Sequence, residues 1–337
     1  MPWCPHCIRN ASLQRNSTIK VMRGGIVATM RDHGVFKVKR ILVVLFMDKS
    51  LLRSQRKTQI FFAACILSWN IIVAQTKASS FPEKGNLILT GGSFTKDAIK
   101  AFVELAGGPA ANFVFIPSAS SGIKLESGYI WEPKDSAKEK IDSFSMELAK
   151  MFGIKNIIIL HTTNTAEANS KKFCEPLKKA NGVWLGPGNA GRYATIFLRT
   201  RFQKELDTLL MRGGTIAGNS AGSIIQGSYI VRGRPDKPVL MAKGSEQGFA
   251  FIKNFVINPH LISAKRETEL INVLDWYPEL IGFGVDDETT LIVKNGIIQM
   301  IGKGPVYIYD NERHDNKWWY ELSPGKKFSL RERKIIE

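Results

Sequence analysis

The sequence predicts an α/β protein, a three-layer α/β/α sandwich built on a mainly parallel sheet. Short apolar runs alternate with stretches of helical periodicity through most of the chain. These runs are almost continuously apolar, which is typical of strands buried on both faces of a parallel sheet. Near the C-terminal end the runs follow one another closely, so we expect antiparallel strands to complete the sheet.

The predicted strands and helices alternate in chain order. Short apolar segments predict strands at residues 87–90 (LILT), 113–116 (FVFI), 157–160 (IIIL), 183–185 (VWL) and 215–217 (TIA). Between them apolar residues recur at helical spacing, which predicts helices at residues 96–105, 136–151 and 166–179. Strand, helix, strand repeats of this kind join parallel neighbours and cover both faces of the sheet.

In the last part of the chain, the sequence predicts strands that are joined by short connections. Apolar runs at residues 281–285, 290–293, 297–301 and 306–309 leave only a few residues between them. Lys294-Asn295-Gly296 separates two of these runs, and Asn-Gly is a strong signal for a hairpin turn. Because no internal repeat or low-complexity linker interrupts residues 85–337, we predict that they form one domain.

The positive charge is concentrated in the N-terminal part of the chain. The formal net charge is +17, a value that suggests a nucleic-acid partner. Residues 1–74, however, contain 12 of the 47 lysines and arginines and only 2 of the 30 acidic residues, which leaves +7 for the remainder. Since the remainder has no basic run with interleaved aromatic residues, we predict no nucleic-acid partner.

The N-terminal part has the layout of an export signal. Arg53, Arg56 and Lys57 precede the apolar residues 60–73, and small and polar residues follow. This order predicts a signal peptide over residues 47–74 that is removed by cleavage. The apolar segment is short for a membrane span, and an uncleaved anchor is the competing interpretation. We therefore expect an exported protein, periplasmic or secreted, without a stable membrane domain after cleavage.

Further boundaries follow from this interpretation. Met47 stands where a signal peptide would start, so we interpret residues 1–46 as a misassigned N-terminal extension. We predict that residues 75–84 form a short linker before the domain. After cleavage Cys174 is the one cysteine left, which argues against an internal disulfide or a cysteine metal site.

A serine lies at a predicted strand-to-helix junction. In Gly218-Asn219-Ser220-Ala221-Gly222 an apolar strand leads into the serine, and small residues follow it. This is the pattern of a nucleophile elbow, which presents a hydroxyl at the N-terminus of a helix. Backbone N–H groups there stabilise developing negative charge, so the arrangement suits acyl transfer. The alternative is a glycine-rich helix entry without catalytic function.

A nucleophilic serine needs a base, and three histidines follow the predicted signal peptide. His260 comes after the apolar run 255–257, at the C-terminal edge of a predicted strand, where open α/β sheets bind ligands. His314 lies in a polar turn and is the runner-up. His161 also follows a strand, but we interpret it as a solvated loop residue. Position therefore favours His260.

Three consecutive carboxylates are the candidates for orienting the base. Asp286, Asp287 and Glu288 follow the apolar run 281–285, between glycines and threonines. One of them could orient an imidazolium if it is turned inward. A solvated hairpin corner is the alternative, because acidic residues are common in turns.

A glycine-rich loop follows the fourth predicted strand. The tract Gly186-Pro187-Gly188-Asn189 opens a helical stretch, so its N–H groups could face the same crevice as Ser220. Pro187 has no N–H. We therefore expect Gly188 to be the second oxyanion donor, beside Ala221.

Several tracts together resemble the cyanophycinases and the related aspartyl dipeptidases. They are residues 87–92 (LILTGG), 102–108 (FVELAGG), 116–121 (IPSASS), the elbow, and 284–287 (GVDD). The resemblance spans about residues 85–309. It implies a flavodoxin-like fold similar to that of class I glutamine amidotransferases, with a Ser, His, acid triad in that chain order. Ser220 matches the nucleophile, His260 the histidine, and Asp287 the position where cyanophycinases carry Glu.

Departures from the cyanophycinase pattern bear on the substrate. Where those proteins read Asp-Gln-His-Phe followed by several arginines, this chain reads Asn258-Pro259-His260-Leu261 with fewer cations beyond. Its glycine loop is closer to the Gly-Gly-Gly-Asn of aspartyl dipeptidases, which puts an aspartyl-arginine polymer in doubt. The candidate substrate-binding residues are Asn189, Arg192, Lys265 and Arg266, whose cations could pair with a substrate carboxylate.

The sequence thus predicts an exported serine exopeptidase that cleaves aspartyl peptide or isopeptide bonds through an acyl-enzyme on Ser220. The expected partner is a small peptide or an aspartyl polymer, no metal or cofactor is required, and a homodimer would be consistent with the family. Two alternatives are an esterase with the order Ser220, Asp287, His314 and a catalytically inactive binding protein. A glutamine amidotransferase is disfavoured because that chemistry uses a thiolate.

Overall fold

The computed structural model describes residues 80–134, 137–232 and 246–337, together with the backbone of two strands near the N-terminus. The predicted signal peptide over residues 47–74 lies outside the described residues, as does Met47. Within the part of the chain that is described, no helix has both the length and the apolar character needed to cross a membrane.

The elements are numbered in chain order. The strands are β1 (Ser17–Met22), β2 (Gly25–Met30), β3 (Asn86–Thr90), β4 (Phe113–Ile116), β5 (Ile123–Lys124), β6 (Ile130–Trp131), β7 (Ile157–Ile159), β8 (Gly182–Leu185), β9 (Thr215–Asn219), β10 (Gly227–Tyr229), β11 (Ile252–Pro259), β12 (Ile281–Val285), β13 (Thr289–Lys294), β14 (Ile297–Gly302), β15 (Val306–Tyr309), β16 (Tyr320–Glu321), β17 (Lys327–Ser329) and β18 (Lys334–Ile336). The helices are α1 (Lys96–Leu105), α2 (Lys138–Phe152), α3 (Thr165–Ala168), α4 (Lys171–Lys179), α5 (Ala190–Phe197), α6 (Arg201–Met211), α7 (Ala221–Ile224) and α8 (Glu269–Trp276). Strands β1 and β2 form an antiparallel pair of their own.

The larger sheet has nine strands in the order β18-β17-β14-β13-β3-β9-β8-β4-β7. The five strands from β3 to β7 in this order are parallel, and each was predicted from its apolar run. The remaining four are antiparallel and continue the sheet beyond β3. The predicted hairpin joins β13 to β14, and Asn295 and Gly296 adopt the positive φ angles, 52° and 76°, that its turn requires.

Alternate residues of the central strands face opposite sides of this sheet, as strand geometry dictates. Leu87 and Leu89 belong to one buried apolar cluster, which also includes side chains from α4, α5 and α6. Ile88 belongs to a second cluster, which includes side chains from α1 and α2. Helices therefore cover both faces, and the predicted three-layer α/β/α sandwich is confirmed.

The structure contains a second, five-stranded sheet, whereas the sequence predicted a single sheet. The runs predicted at residues 281–285 and 306–309 do not extend the larger sheet; they form β12 and β15 of a five-stranded sheet in the order β10-β11-β12-β15-β16. Strand β13 already pairs with the free edge of β3, so that edge is closed to β12.

The predicted helix over residues 166–179 is divided in the structure, because the Ser170 side chain caps a new helix by accepting from Phe173 N.

We predict that Tyr193→Phe lowers the free energy of unfolding by about 1–2 kcal/mol, because a buried hydroxyl with two acceptors is removed. Tyr193 is fully buried in α5, and its hydroxyl lies 2.6 Å from Ile116 O and 3.0 Å from Gly186 O, at the ends of two strands. Urea unfolding of the purified protein measures the change.

The matched control is Tyr307→Phe. The Tyr307 ring is partly exposed and stacks on Trp319, with centroids 5.5 Å apart, a contact that phenylalanine keeps. Equal losses in the two variants would contradict a specific role for the Tyr193 hydroxyl.

Candidate active site

Ser220 lies at a sharp turn between β9 and α7, as the elbow pattern predicts. Its backbone angles are φ 52° and ψ −111°, a conformation that costs a non-glycine residue about 1–3 kcal/mol and persists where the surroundings enforce it. A Cβ at Gly218 would overlap the backbone of Gly222, and one at Gly222 would overlap Leu185 O. Only glycine at these two positions lets α7 approach the sheet so closely.

His260 directly follows β11 in the smaller sheet, and its ring reaches Ser220. The distance from His260 Nε2 to Ser220 Oγ is 2.8 Å, within hydrogen-bonding range. The two residues are forty positions apart in the chain and belong to different sheets. Helix α7 connects these sheets, since it packs against both β9 and β11.

Asp287 completes the chain of contacts, because its Oδ1 forms a short hydrogen bond with His260 Nδ1. The His260 and Asp287 side chains are 29% and 37% exposed, so the pair is open to solvent on one side. An imidazole bonded in this way is oriented, and its charged form is stabilised by the carboxylate. The geometry therefore unites Ser220, His260 and Asp287 in the order that the sequence predicted.

The two neighbouring carboxylates have other contacts. Asp286 Oδ1 accepts hydrogen bonds from Ile262 N at 3.0 Å and Ser263 N at 3.1 Å, which anchors the loop after His260. Glu288 is exposed, with Oε2 3.7 Å from Lys303 Nζ. Of the three acids in this turn, Asp287 is thus the one that contacts the imidazole.

Gly91 and Gly92 leave room for the turn that carries Asp286 and Asp287, a contribution that was not predicted from the sequence. A Cβ at Gly92 would overlap the Asp287 carboxylate, and one at Gly91 would overlap Asp286 O. These glycines follow β3 directly, at the edge of the sheet where Ser220 lies. The sequence feature that could have indicated this role is their position directly after a parallel strand, where a glycine can mark the close approach of another group.

Asn219 fixes the chain immediately before Ser220. Its side chain is buried, donates from Nδ2 to Gly92 O at 3.0 Å and accepts from Trp184 Nε1 at 3.0 Å. The elbow, the strand β8 and the glycine pair are thereby joined by one amide, which restrains the backbone that leads into Ser220.

The loop with Gly188 and Asn189 is held against the loop after β4. Gly188 has φ 133°, and a Cβ there would overlap Ala119 O, so only glycine fits. Asn189 N donates to Ala119 O at 2.9 Å, while the Asn189 side chain accepts from Arg192 N and caps α5. Arg192 Nη1 lies 3.3 Å from Ala119 O. Asn189 and Arg192, predicted to bind substrate, therefore both have structural contacts.

The other oxyanion candidate, Ala221, is the first residue of α7. The first N–H groups of a helix have no acceptor within the helix, so the Ala221 N–H has the character needed for an anion donor. The oxyanion roles of Ala221 and Gly188 stay predictions.

The predicted cations Lys265 and Arg266 follow His260 closely. Arg266 Nη1 donates to Pro259 O at 2.9 Å, which ties the guanidinium to the residue before the histidine. Burial lowers the pKa of Arg266, and Arg232 acts in the same direction while Glu269 and Asp287 oppose it. The guanidinium stays charged, because arginine remains protonated in proteins. Lys265 has φ 56° and an exposed side chain.

A partly buried polar network behind this segment was not predicted from the sequence. Arg232 Nε donates to Glu269 Oε2 at 3.1 Å, and its Nη2 also bonds to the carboxylate. Asn258 Nδ2 donates to Glu269 Oε2 at 2.9 Å. Because Asn258 is the second residue before His260, this network restrains the strand end that carries the histidine. The three residues are far apart in sequence, and no local pattern indicates their contact.

The other two histidines among the described residues have different partners. His314 Nε2 lies 2.9 Å and 3.1 Å from the carboxylate oxygens of Asp310. His161 Nδ1 lies 3.2 Å from Ser118 Oγ, and burial lowers the pKa of His161 although Glu167 opposes this. Within the described residues, only His260 therefore contacts the Ser220 hydroxyl.

Comparisons with known proteins identify the family of this chain. The model of peptidase family S51 matches residues 87–301, a span that contains Ser220, His260 and Asp287. A cyanophycinase of Trichormus variabilis is 25% identical over 279 residues, which cover 75% of this chain and 88% of the relative. A cyanophycinase of Geminocystis herdmanii is 24% identical over 221 residues, covering 64% of this chain and 76% of the relative.

A solved structure shares the fold. The crystal structure of a peptidase from an acI-B1 Actinobacterium has a TM-score of 0.54 at 19% identity, covering 74% of this chain and 98% of that one. Together with the family match, this confirms the α/β fold and the relationship inferred from the sequence tracts. The chain belongs to peptidase family S51 and is a serine-type peptidase.

Proposed function

We propose that this peptidase is an exopeptidase that hydrolyses aspartyl peptide or isopeptide bonds through an acyl-enzyme on Ser220. The observation that carries the proposal is the 2.8 Å contact between Ser220 Oγ and His260 Nε2, with Asp287 bonded to the opposite ring nitrogen. A serine hydroxyl becomes an effective nucleophile when an oriented base takes its proton.

The acylation step follows from this arrangement. Ser220 Oγ attacks the carbonyl carbon of the scissile bond while its proton passes to His260 Nε2. The resulting oxyanion accepts hydrogen bonds from Ala221 N and Gly188 N, and Asp287 stabilises the imidazolium. The tetrahedral intermediate then collapses, the C–N bond breaks, and His260 gives the proton to the leaving amine.

In deacylation, a water molecule takes the place of the amine that has left. His260 takes a proton from a water molecule, whose oxygen attacks the ester carbonyl of the acyl-enzyme. Collapse of the second tetrahedral intermediate releases the carboxylic acid, and the proton returns to Ser220 Oγ. The net reaction hydrolyses one amide bond with one water molecule, and it needs no metal or cofactor.

The aspartyl preference is supported by the relatives and by cations near His260. The relatives from Trichormus variabilis and Geminocystis herdmanii are cyanophycinases, and this chain carries Lys265 and Arg266 five and six residues after the histidine. One N–H of Arg266 is bonded to Pro259 O, but a guanidinium has five donors, so others can pair with a substrate carboxylate.

We expect the purified protein to release amine from α- or β-aspartyl dipeptides faster than from matched non-acidic dipeptides, because the cations can bind the aspartyl carboxylate. Ser220→Ala should lower kcat by about 10⁴-fold or more, since the nucleophile is lost. Released amine is measured by a coupled colorimetric assay.

The matched control for this variant is Ser118→Ala, which removes a serine that contacts a different histidine, His161. It should retain kcat within about threefold, as expected of a residue outside the reacting atoms. Cleavage confined to non-acidic dipeptides would remove the aspartyl preference and leave the serine mechanism standing. No cleavage, and no labelling of Ser220 by a fluorophosphonate, would favour the catalytically inactive binding protein.

Asp287→Asn should lower kcat by about 10³–10⁴-fold, because the amide neither stabilises the imidazolium nor fixes the productive tautomer. Steady-state kinetics on the best aspartyl dipeptide measures the loss. The adjacent Asp286→Asn is an isosteric control, since its Oδ1 can still accept from Ile262 N and Ser263 N. Similar losses in both variants would argue against Asp287 as the residue that orients His260.

We propose in addition that residues 47–74 direct export of this peptidase, on the basis of their basic, apolar and small-residue order. When the full chain is expressed in a bacterial host, the mature protein should appear in the periplasm or medium with its N-terminus near Gln75. N-terminal sequencing of the exported protein checks the cleavage site. Retention of an intact leader in the membrane fraction would support the anchor instead.

A further inference from the structure

A cavity lies at the end of the smaller sheet that is remote from His260. It has a volume of about 340 Å³, near the lower bound for small-molecule sites, and Tyr229, Glu246 and Tyr277 are among its lining residues. Tyr229 pairs with Val256 of β11, four residues before His260. At roughly 3.3 Å per strand residue, about 13 Å of strand separates that register position from the histidine.

The Glu246 side chain places a buried carboxylate in this cavity. Glu246 is 8% exposed, and its Oε1 accepts a short hydrogen bond from the Tyr277 hydroxyl. Among the described residues, its Oε2 has no hydrogen-bond partner. A buried carboxylate oxygen without a partner is unfavourable, because desolvation is not compensated by a hydrogen bond. The Glu246 carboxylate is thus an acceptor that a cationic donor would satisfy.

Tyr229 adds a second unsatisfied group. This residue is 3% exposed, and within the described part of the chain its hydroxyl also lacks a partner. Burial raises the pKa of the Tyr229 hydroxyl, with Glu246 and Tyr277 acting in the same direction, so the phenol stays neutral. The negative charge of the cavity therefore comes from carboxylates, and the phenol oxygen is free to accept a hydrogen bond.

The remaining lining residues reinforce this character. Glu279 supplies a second carboxylate, and none of the described residues that line the cavity is a lysine or arginine. Two guanidinium groups bond to lining residues: Arg199 Nη2 donates to Gln247 Oε1 at 2.7 Å, and Arg333 donates to Glu279 O at 2.8 Å and to Leu280 O at 2.9 Å. The rings of Tyr229 and Tyr277, with centroids 5.2 Å apart at 54°, offer aromatic surface to a cation.

We propose that this cavity binds the primary ammonium or guanidinium group of a small organic molecule, with Glu246 as its principal partner. The cation donates to Glu246 Oε2 and to the Tyr229 hydroxyl oxygen, and it contacts the two tyrosine rings. Divalent metal ions require several oxygen ligands, whereas one buried carboxylate beside aromatic rings suits an organic cation. The site goes beyond the peptidase activity and does not depend on Ser220.

The test uses n-butylammonium chloride and ethylguanidinium chloride, titrated by isothermal calorimetry into the full-length protein. At least one probe should bind saturably with one site per chain. Glu246→Gln should weaken that binding by about tenfold or more, because a charge-assisted hydrogen bond is lost. Glu279→Gln is the matched control, and since this side chain is exposed, the loss there should be smaller.

Further measurements keep the proposal falsifiable. If Glu246→Gln fails to fold, as judged by circular dichroism, Tyr229→Phe replaces it and should weaken the probe severalfold. Ser220→Ala should bind the probe with the affinity of the unaltered chain. Absence of saturable binding, equal affinity in Glu246→Gln, or displacement of the probe by equimolar potassium or calcium chloride would overturn the proposal.

Discussion

The contact between Ser220 and His260 depends on how closely two sheets approach each other, because each residue is carried by a different one. Ser220 follows β9 of the larger sheet, and His260 follows β11 of the smaller sheet. The acid lies on the connection between them, since Asp287 sits in the turn from β12 to β13. A shift of one sheet by about 1 Å would lengthen the hydrogen bond beyond its useful range.

At the site itself, glycines and residues with positive φ allow the close approach of the two sheets. Gly92 makes room for the Asp287 carboxylate, and Gly222 lets α7 pack against the sheet. Ser220 and His260 both have positive φ, 52° and 58°, which the surrounding contacts enforce. Ser220 and His260 are therefore held by backbone that their neighbours leave little freedom to relax.

The segment around the histidine is held by polar contacts from several elements. Asp286 binds the N–H groups of the following loop, and Arg266 binds the carbonyl of Pro259. Glu269, at the start of α8, joins Arg232 to Asn258. Each of these groups is charged or buried with a partner, an arrangement that fixes side-chain orientation more than it adds stability.

The sequence by itself determined the alternating pattern of the larger sheet, the hairpin at Asn295, the elbow at Ser220 and the position of His260 at a strand end, because each is encoded within a few neighbouring residues. Only the tertiary structure decided which carboxylate reaches the imidazole, why Gly91 and Gly92 are glycines, and that β12 belongs to a separate sheet. These outcomes depend on which edges and loops meet in space, and periodicity along the chain carries no information about such long-range contacts.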